Sequence, residues 1–438
     1  MKFITFSISL LTLVASAERS SSYADALRDA IDQRAKAVES RMIAWRRDIH
    51  EHPELGNREF RTSALVAEHL KSLGYEVREN VAHTGVVAIL KGGKLGPVIA
   101  FRADMDALPV TEEVDLPFAS KIKAMWDGRE TGVMHACGHD AHTAILMAAA
   151  EVFAGMRGEL SGTVKLIFQP AEETPPLGEE GGAALMIKEG ALDNPKPDAI
   201  FGLHLIAPAP AGVILYRAGA TMAGADFFRI TVRGRGTHGA MPWQGVDPIV
   251  LTSQIVLALQ TIQSRQVDVT SGPSVLTIGS LHAGNRANII SDKAEMEGTL
   301  RTFDLEMRSS IKQRVTETAE LIAKSGGGDA LVEWRSGGAP PLVNNAELTS
   351  RMVPTLQRIV GADRATESRP LMPSEDFALF AQEIPAMYYF VGVTPPGVPA
   401  SLAAANHSPR FQIDEAALLP ALRTTVHLAF DYMAAGGK

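Results

Sequence analysis

From residue 225 the chain carries six elements in an order that few architectures accept. ADFFRITVRG (225–234) alternates like a half-buried strand, and PIVLTSQIVLALQTI (248–262) has helical spacing. SVLTIGSLHAG (274–284) and KAEMEGTLRTF (293–303) follow as a strand pair. EMRSSIKQRVTETAELIAKSGG (306–327) reads as a long amphipathic helix and ALVEWRSGG (330–338) as a closing strand. The order β-α-β-β-α-β is that of the ferredoxin-like split unit. It predicts a compact α+β module over 222–338, inserted into whatever surrounds it.

What surrounds it has another rhythm. Residues 23–74 are predicted helical, with apolar residues at helical spacing until Pro53 stops the first run. TSALVAEHLKSLG (62–74) ends on Gly74, a suitable C-cap. VVAIL, PVIAFRAD, TVKLIFQP and DAIFGLHL read as buried strands, and AHTAILMAAAEVFAGM as an apolar helix between them. Strands interleaved with helices predict an α/β domain with a mostly parallel sheet and helices on both faces. After the module, 339–438 supplies the helix SEDFALFAQEI, the strand AMYYFVGV and a C-terminal helix, so the first domain comprises 23–221 and 339–438. A length of 438 residues, beyond the usual size of one core, agrees with two domains.

The formal net charge of -8 argues against nucleic acid or an anionic membrane as the main partner. At the N-terminus, Lys2 precedes the apolar run FITFSISLLTLV, which ends at Ala15-Ser16-Ala17. This pattern predicts a signal peptide over 1–17, export to a periplasm or the exterior, and no membrane attachment after cleavage. The single cysteine, Cys137, excludes an internal disulfide.

Acidic and imidazole groups gather at the carboxyl ends of the predicted strands: Asp104 and Asp106, Glu172 and Glu173, and His204. In open α/β sheets ligands bind at that edge. MHACGHDAH (134–142) adds His135, Cys137, His139 and His142. Cys137 and His139, two apart in a glycine-containing loop, suit zinc, cobalt, nickel or manganese. Read alone, the pair also suits a cysteine nucleophile with its base, or a core thiol. The nearby carboxylates favour a metal, because a nucleophilic cysteine gains nothing from a glutamate pair. Side chains of adjacent residues in extended backbone diverge. One of Glu172 and Glu173 can therefore hold a metal while the other faces a water. A metal lowers the pKa of such a water to roughly 7, and a glutamate can then move its proton to a leaving amine.

In chain order, RADMDALP (102–109), MHACGHDAH, PAEE (170–173), GLHL (202–205), GRGTHGAMP (234–242), SEDFA (374–378) and NHSPRF (406–411) resemble the metallopeptidase M20 family. The resemblance is strongest to its amidohydrolase branch, which contains hippurate hydrolases, N-acyl-amino-acid amidohydrolases and plant auxin-conjugate hydrolases. It implies two divalent metal ions (Zn, Mn, Co or Ni), with Cys137 as a bridging thiolate. It places His139, Glu173, His204 and His407 on the other ligand positions, Glu172 on the general base, and Asp106 on an aspartate that orients a ligand. Related branches have a histidine ligand near Asp104, so the role of Asp104 stays open. The inserted module matches a lid or dimerisation domain, which implies a homodimer. Within it, His238 resembles a residue that reaches the partner's site and supports the tetrahedral oxyanion. Asn288 and Arg301 resemble residues holding a substrate carboxylate, a task suited to the planar arginine fork. Ser291 stands where the family usually has proline, which puts the turn beside Asn288 in question.

The implied activity is hydrolysis of the amide of an N-acyl amino acid or similar small conjugate. A dipeptidase or carboxypeptidase with the same site is the alternative, and an inactive binding protein on this scaffold is a further one. Retention of Glu172 and all five ligand candidates argues against the last. His50, His52, His69, His83 and His282 read as surface or capping residues, and Arg102 as half of a structural ion pair. His135 has no metal role in the pattern, and His142 at most supports a ligand.

Overall fold

The computed structural model describes the backbone of residues 5–335 and 338–437, and side chains from residue 23 onward. The expected leader, 1–17, lies outside the described side chains. Two compact units are present: Met1–Tyr216 with Glu347–Ser368 and Ile384–Lys438, and Arg217–Ala346 with Arg369–Glu383. Among the described residues no helix is long and apolar enough to cross a membrane.

The larger unit is built on eight strands: β1 (Glu76–Val81), β2 (Gly85–Lys91), β3 (Lys94–Asp104), β4 (Ser161–Gln169), β5 (Ala199–Pro210), β6 (Ile214–Tyr216), β7 (Ala365–Glu367) and β8 (Ala386–Thr394). Their order is β1-β2-β4-β3-β5-β8-β6-β7. The central pairs β4–β3, β3–β5 and β5–β8 are parallel, while β1–β2, β2–β4 and β8–β6 are antiparallel. The strand alternation separates two faces. Val164, Leu166 and Phe168 of β4 join a core shared with helices α1 (Thr5–Glu51) and α3 (His139–Gly155) and the C-terminal helix Leu418–Ala434. Lys165, between them, points the other way. Its Nζ reaches the carbonyls of Ala191 and Asp193, just past helix α4 (Gly182–Lys188). Helices thus cover both faces.

α1 ends at Glu51, ahead of Pro53, and α2 (Phe60–Ser72) is followed by Gly74 at φ +79°, a left-handed stop that costs glycine little. The smaller unit has a four-stranded antiparallel sheet ordered Ser274–Ala283, Lys293–Thr302, Gly224–Arg233, Asp329–Trp334. Helices Pro248–Arg265 and Leu305–Ser325 are N-capped by Asp247 and Asp304. Their apolar stripes, including Ile255, Leu259, Ile311 and Val315, pack on Phe228, Ile230, Met296 and Leu300 of the sheet. This is the β-α-β-β-α-β arrangement the sequence predicts. One piece differs from expectation. Leu371 exchanges backbone hydrogen bonds with Thr221 and Ala223, so Arg369–Glu383, including the helix Phe377–Glu383, sits with the smaller unit rather than the first domain.

Candidate metal centre

The larger sheet creates the site by its winding. From β3 the chain crosses through α3 to β4 on one side, then through α4 to β5 on the other. Such a reversal opens a crevice at the carboxyl ends of the strands. β3 delivers Asp104 at its last position, and the loop after β4 delivers Glu172 and Glu173. His204 lies inside β5, not at its end as expected. β5 continues to Pro210 along β8 but pairs with β3 only through Gly202, so His204 faces the gap where the two strands part.

α3 begins with Gly138 at φ +98°, a conformation that places His139 and Asp140 in its first turn directly after Cys137. His407 comes from the far C-terminal loop, and its N–H bonds to the Ala136 carbonyl at 2.8 Å. Cys137 is thereby shared by two triads whose donor atoms all lie within 4.8 Å of one another: Cys137, His139 and His204, and Cys137, Glu173 and His407. A third such group is His139, Glu172 and Glu173. The Cys137 Sγ is 3.3 Å from both His204 Nε2 and His407 Nε2, and Glu173 Oε1 is 2.8 Å from His407 Nε2.

The hydrogen bonds behind the ring nitrogens set which one faces the centre. His139 Nδ1 donates to the Asp106 carbonyl at 2.8 Å, and His204 Nδ1 to the Leu205 carbonyl at 2.8 Å. Each then presents the Nε2 lone pair, and that of His139 is buried with no hydrogen-bond partner. A backbone-anchored imidazole offering its second nitrogen is the usual posture of a metal ligand. Asp106 Oδ2 accepts the Glu173 N–H at 3.0 Å, so Asp106 orients two ligand candidates at once. His142 accepts the Leu205 N–H on Nε2 at 2.8 Å and donates from Nδ1 to Asp104 Oδ1 at 2.6 Å. Asp104 is held in turn by Arg102 Nη1 at 2.6 Å.

Electrostatics test the donor set. Burial pushes the Cys137 thiol well up, and Glu173, Glu172 and Asp104 push it further. Burial opposes a charged ring on His139, yet Asp104, Asp106 and Glu173 outweigh it and push this group up to about 10. The pocket therefore carries an excess of negative charge that calls for cations. A thiolate nucleophile needs an electropositive surrounding, so this pocket suits divalent metals and opposes a cysteine nucleophile.

The remaining sequence-predicted residues lie in the smaller unit. His238, on the short strand Thr237–His238, is exposed and pairs with Ile289–Ile290, which brings it beside Asn288: the Gly239 N–H bonds to the Asn288 carbonyl at 2.9 Å. Arg301 sits near the opposite end of the strand Lys293–Thr302, about eight residues away, so the unit does not bring it to Asn288. At roughly 3.3 Å per residue that is on the order of 25 Å.

One histidine departs from expectation. His50, expected at the surface, is buried, bonding Asp140 Oδ2 through Nδ1 (2.9 Å) and Glu112 Oε1 through Nε2 (3.1 Å). Arg46 Nε adds 2.8 Å to the same Asp140 oxygen. Burial opposes the Asp140 charge, but Arg46 and His50 hold it far below the carboxylate range. The available signal was positional: Arg46 and His50 fall on the stripe of α1 that buries Val38, Met42 and Ile49. That stripe leads directly to the loop before Glu59, also unread, whose buried carboxyl accepts the Ala171 N–H at 2.9 Å.

The family model for peptidase family M20/M25/M40 matches residues 100–431. The chain belongs to peptidase family M20. This M20 chain is 41% identical over 381 residues to thermostable carboxypeptidase 2 of Saccharolobus solfataricus, covering 87% of this chain and 92% of that protein. It is 38% identical over 384 residues to N-acetyl-L-cysteine deacetylase of Bacillus subtilis, covering 88% and 86%. Among solved structures, the Bacillus subtilis YXEP protein, a dinuclear metal binding peptidase from the M20 family, superposes with a TM-score of 0.74 at 34% identity, covering 91% of the M20 chain and 99% of that protein. The M20 chain is thus a metal-dependent hydrolase of amide bonds.

Proposed function

We propose that the protein hydrolyses the amide bond of N-acyl amino acids or similar small conjugates, with Cys137, His139, Glu173, His204 and His407 holding two divalent ions and Glu172 as general base. The observation that carries this reading is the sharing of Cys137 between two ligand triads, with Glu172 beside them: its Oε2 is 3.9 Å from the inward nitrogen of His139. Two ions held there would supply Lewis-acid polarisation of the scissile carbonyl and would lower the pKa of a water. Glu172 takes the proton of the attacking water and passes it to the leaving nitrogen. Asp106 and the backbone carbonyls behind His139 and His204 fix the donors before substrate arrives, and the His142–Asp104–Arg102 chain braces the same wall.

We assign His238 to the oxyanion of a partner subunit's site in a homodimer; Asn288, which lies beside His238, would enter that site with it, and Arg301, far from Asn288 within one chain, would meet the same substrate carboxylate from the other subunit. The lid role of the smaller unit, and export after removal of residues 1–17, belong to the same reading and are supported by sequence resemblance and the leader pattern. N-terminal sequencing of the mature protein tests the latter.

Glu172→Gln is the direct experiment. It should keep two metals per chain and lose about 10²–10⁴-fold in kcat. Activity within a few-fold of wild type would overturn the base assignment. EDTA should abolish turnover and added metal restore it, whereas a cysteine nucleophile would work through chelation. The 41% identity to a carboxypeptidase favours a second reading in which a C-terminal peptide bond is the target. Parallel assays on acyl amino acids and on dipeptides separate the two.

A further inference from the structure

The loop carrying Glu172 and Glu173 turns through Ala171, a fully buried, non-glycine residue at φ +49°. Left-handed backbone at such a residue costs roughly 1 kcal/mol or more and persists only where its surroundings impose it. Two backbone N–H groups of this turn are held by carboxyls from elsewhere: Glu173 by Asp106, as above, and Ala171 by Glu59 Oε1 at 2.9 Å. The second oxygen of Glu59 lies 2.5 Å from the Thr84 hydroxyl.

Glu59 precedes α2, where a side chain commonly caps the helix, yet it makes no cap bond. Glu54 does that work instead, accepting the Arg61 and Thr62 N–H groups at 2.9 Å each. Glu59 is therefore released from its local task and turned to the β4 loop. Gly56 lets the segment approach: a Cβ there would stand 3.0 Å from both the Ala171 Cβ and the Thr174 carbonyl. Asn57 completes the seam with a bond to the Glu180 carbonyl at 3.0 Å.

We infer that Glu59 is a positioning residue, which locks the left-handed turn at Ala171 and thereby directs Glu173 to the metal pair and Glu172 to the reacting water. This rests on the proposed roles of those two glutamates. Burial, with Asp106 adding to it, pushes the Glu59 carboxyl up to about 8, so near neutral pH it is largely protonated. Glutamine is then a close substitute, with its carbonyl facing Ala171 and its amide facing Thr84.

The test uses the full chain stripped of metal and titrated with manganese(II), followed by kinetics on the loaded protein. Glu59→Met keeps the volume but leaves the Ala171 N–H unpaired. It should weaken manganese binding about 10–100-fold and lower kcat by a similar factor with KM little changed, as loss of a ligand-orienting group does. Glu59→Gln should stay within a few-fold of wild type in both. Wild-type affinity and kcat in Glu59→Met, whatever its melting temperature, would overturn the inference, as would an equal loss in Glu59→Gln. If Glu59→Met does not fold, Thr84→Val cuts the other tether: a smaller loss in the same direction supports the inference, and no loss overturns it. Failure of the wild-type chain to bind manganese would instead sink the metal-site reading itself.

Discussion

Asp104 is the residue on which the buried wall of the site turns. Its two oxygens hold Arg102 and His142, and both members of the Arg102–Asp104 pair are fully shielded from solvent. Asp104→Asn removes the charge of one partner of this fully buried pair. Removing one partner of such a pair costs about 3–5 kcal/mol. Guanidinium unfolding of the metal-free protein should show a clearly lower midpoint, and an unchanged midpoint would refute the pairing. At this scale the sequence was informative about ligand candidates and poor about their supports. Cys137, His139, Glu173, His204 and His407 could be named as a set because the motifs that carry them resemble those of a known family; residue type and strand-end position alone pointed only to some of them. His50 and Glu59 could not, because a lone histidine or glutamate looks the same whether it faces water or a buried hydrogen bond. Only the partner decides, and Asp140 and Ala171 lie 90 and 112 positions away.

Elements are held together by charge as well as by core. Asp32 of α1 meets Arg423 Nε at 2.7 Å and His427 Nε2 at 3.0 Å on the C-terminal helix. His427 Nδ1 faces Arg358 of the helix Ala346–Val360, and Arg358 also pairs with Asp431. Burial works against the Asp32 charge, but Arg423 and His427 outweigh it and hold this carboxyl below its ordinary 3.8. A depressed acid contributes stability above its unfolded pKa and loses it as the pH falls through the folded one. Asp32→Asn should therefore lower the melting temperature at pH 7, by ~1–2 °C for a partly exposed pair. The two melting curves should converge as the pH falls below the ordinary aspartate range and through the depressed value of Asp32. A gap that persists there would place the effect in packing instead. Periodicity located the long elements, because core-facing stripes repeat every 3.6 or 2 residues. It missed β1, whose EVRENV is largely exposed and has no alternation. It also missed the charged hairpin Lys123–Trp126 with Arg129–Gly132, although Asp127-Gly128 at its tip, both at positive φ, is a strong turn signal.

On the scale of the whole molecule, the proposed partner role of His238 makes a prediction that no single chain can satisfy. His238→Ala and Glu172→Gln should each be inactive with metal content intact. Mixed and allowed to exchange subunits, they should recover about a quarter of wild-type turnover, because one site in a mixed dimer receives both intact groups and half of the dimers are mixed. No recovery, with exchange verified by mass, would argue against the shared site. The order of strands and helices exposed the two-part plan well, since an α/β rhythm interrupted by β-α-β-β-α-β admits few alternatives. It could not show where the chain leaves one unit for the other near Leu371, because two backbone hydrogen bonds to Thr221 and Ala223 decide that, and no side-chain pattern encodes them.

The sharing of Cys137 between two triads also has a consequence for a shortened chain. Its partners stand 67 and 270 positions away in His204 and His407. Closing a long loop is thermodynamically mild, about 0.6 kcal/mol per doubling of its length. The burden falls on completeness of the chain. A molecule clipped before His407 keeps Cys137, His139 and His204 but lacks a donor of the second group. Under the proposed ligand assignment, such a molecule would lose the second binding cup and keep the donors of the first.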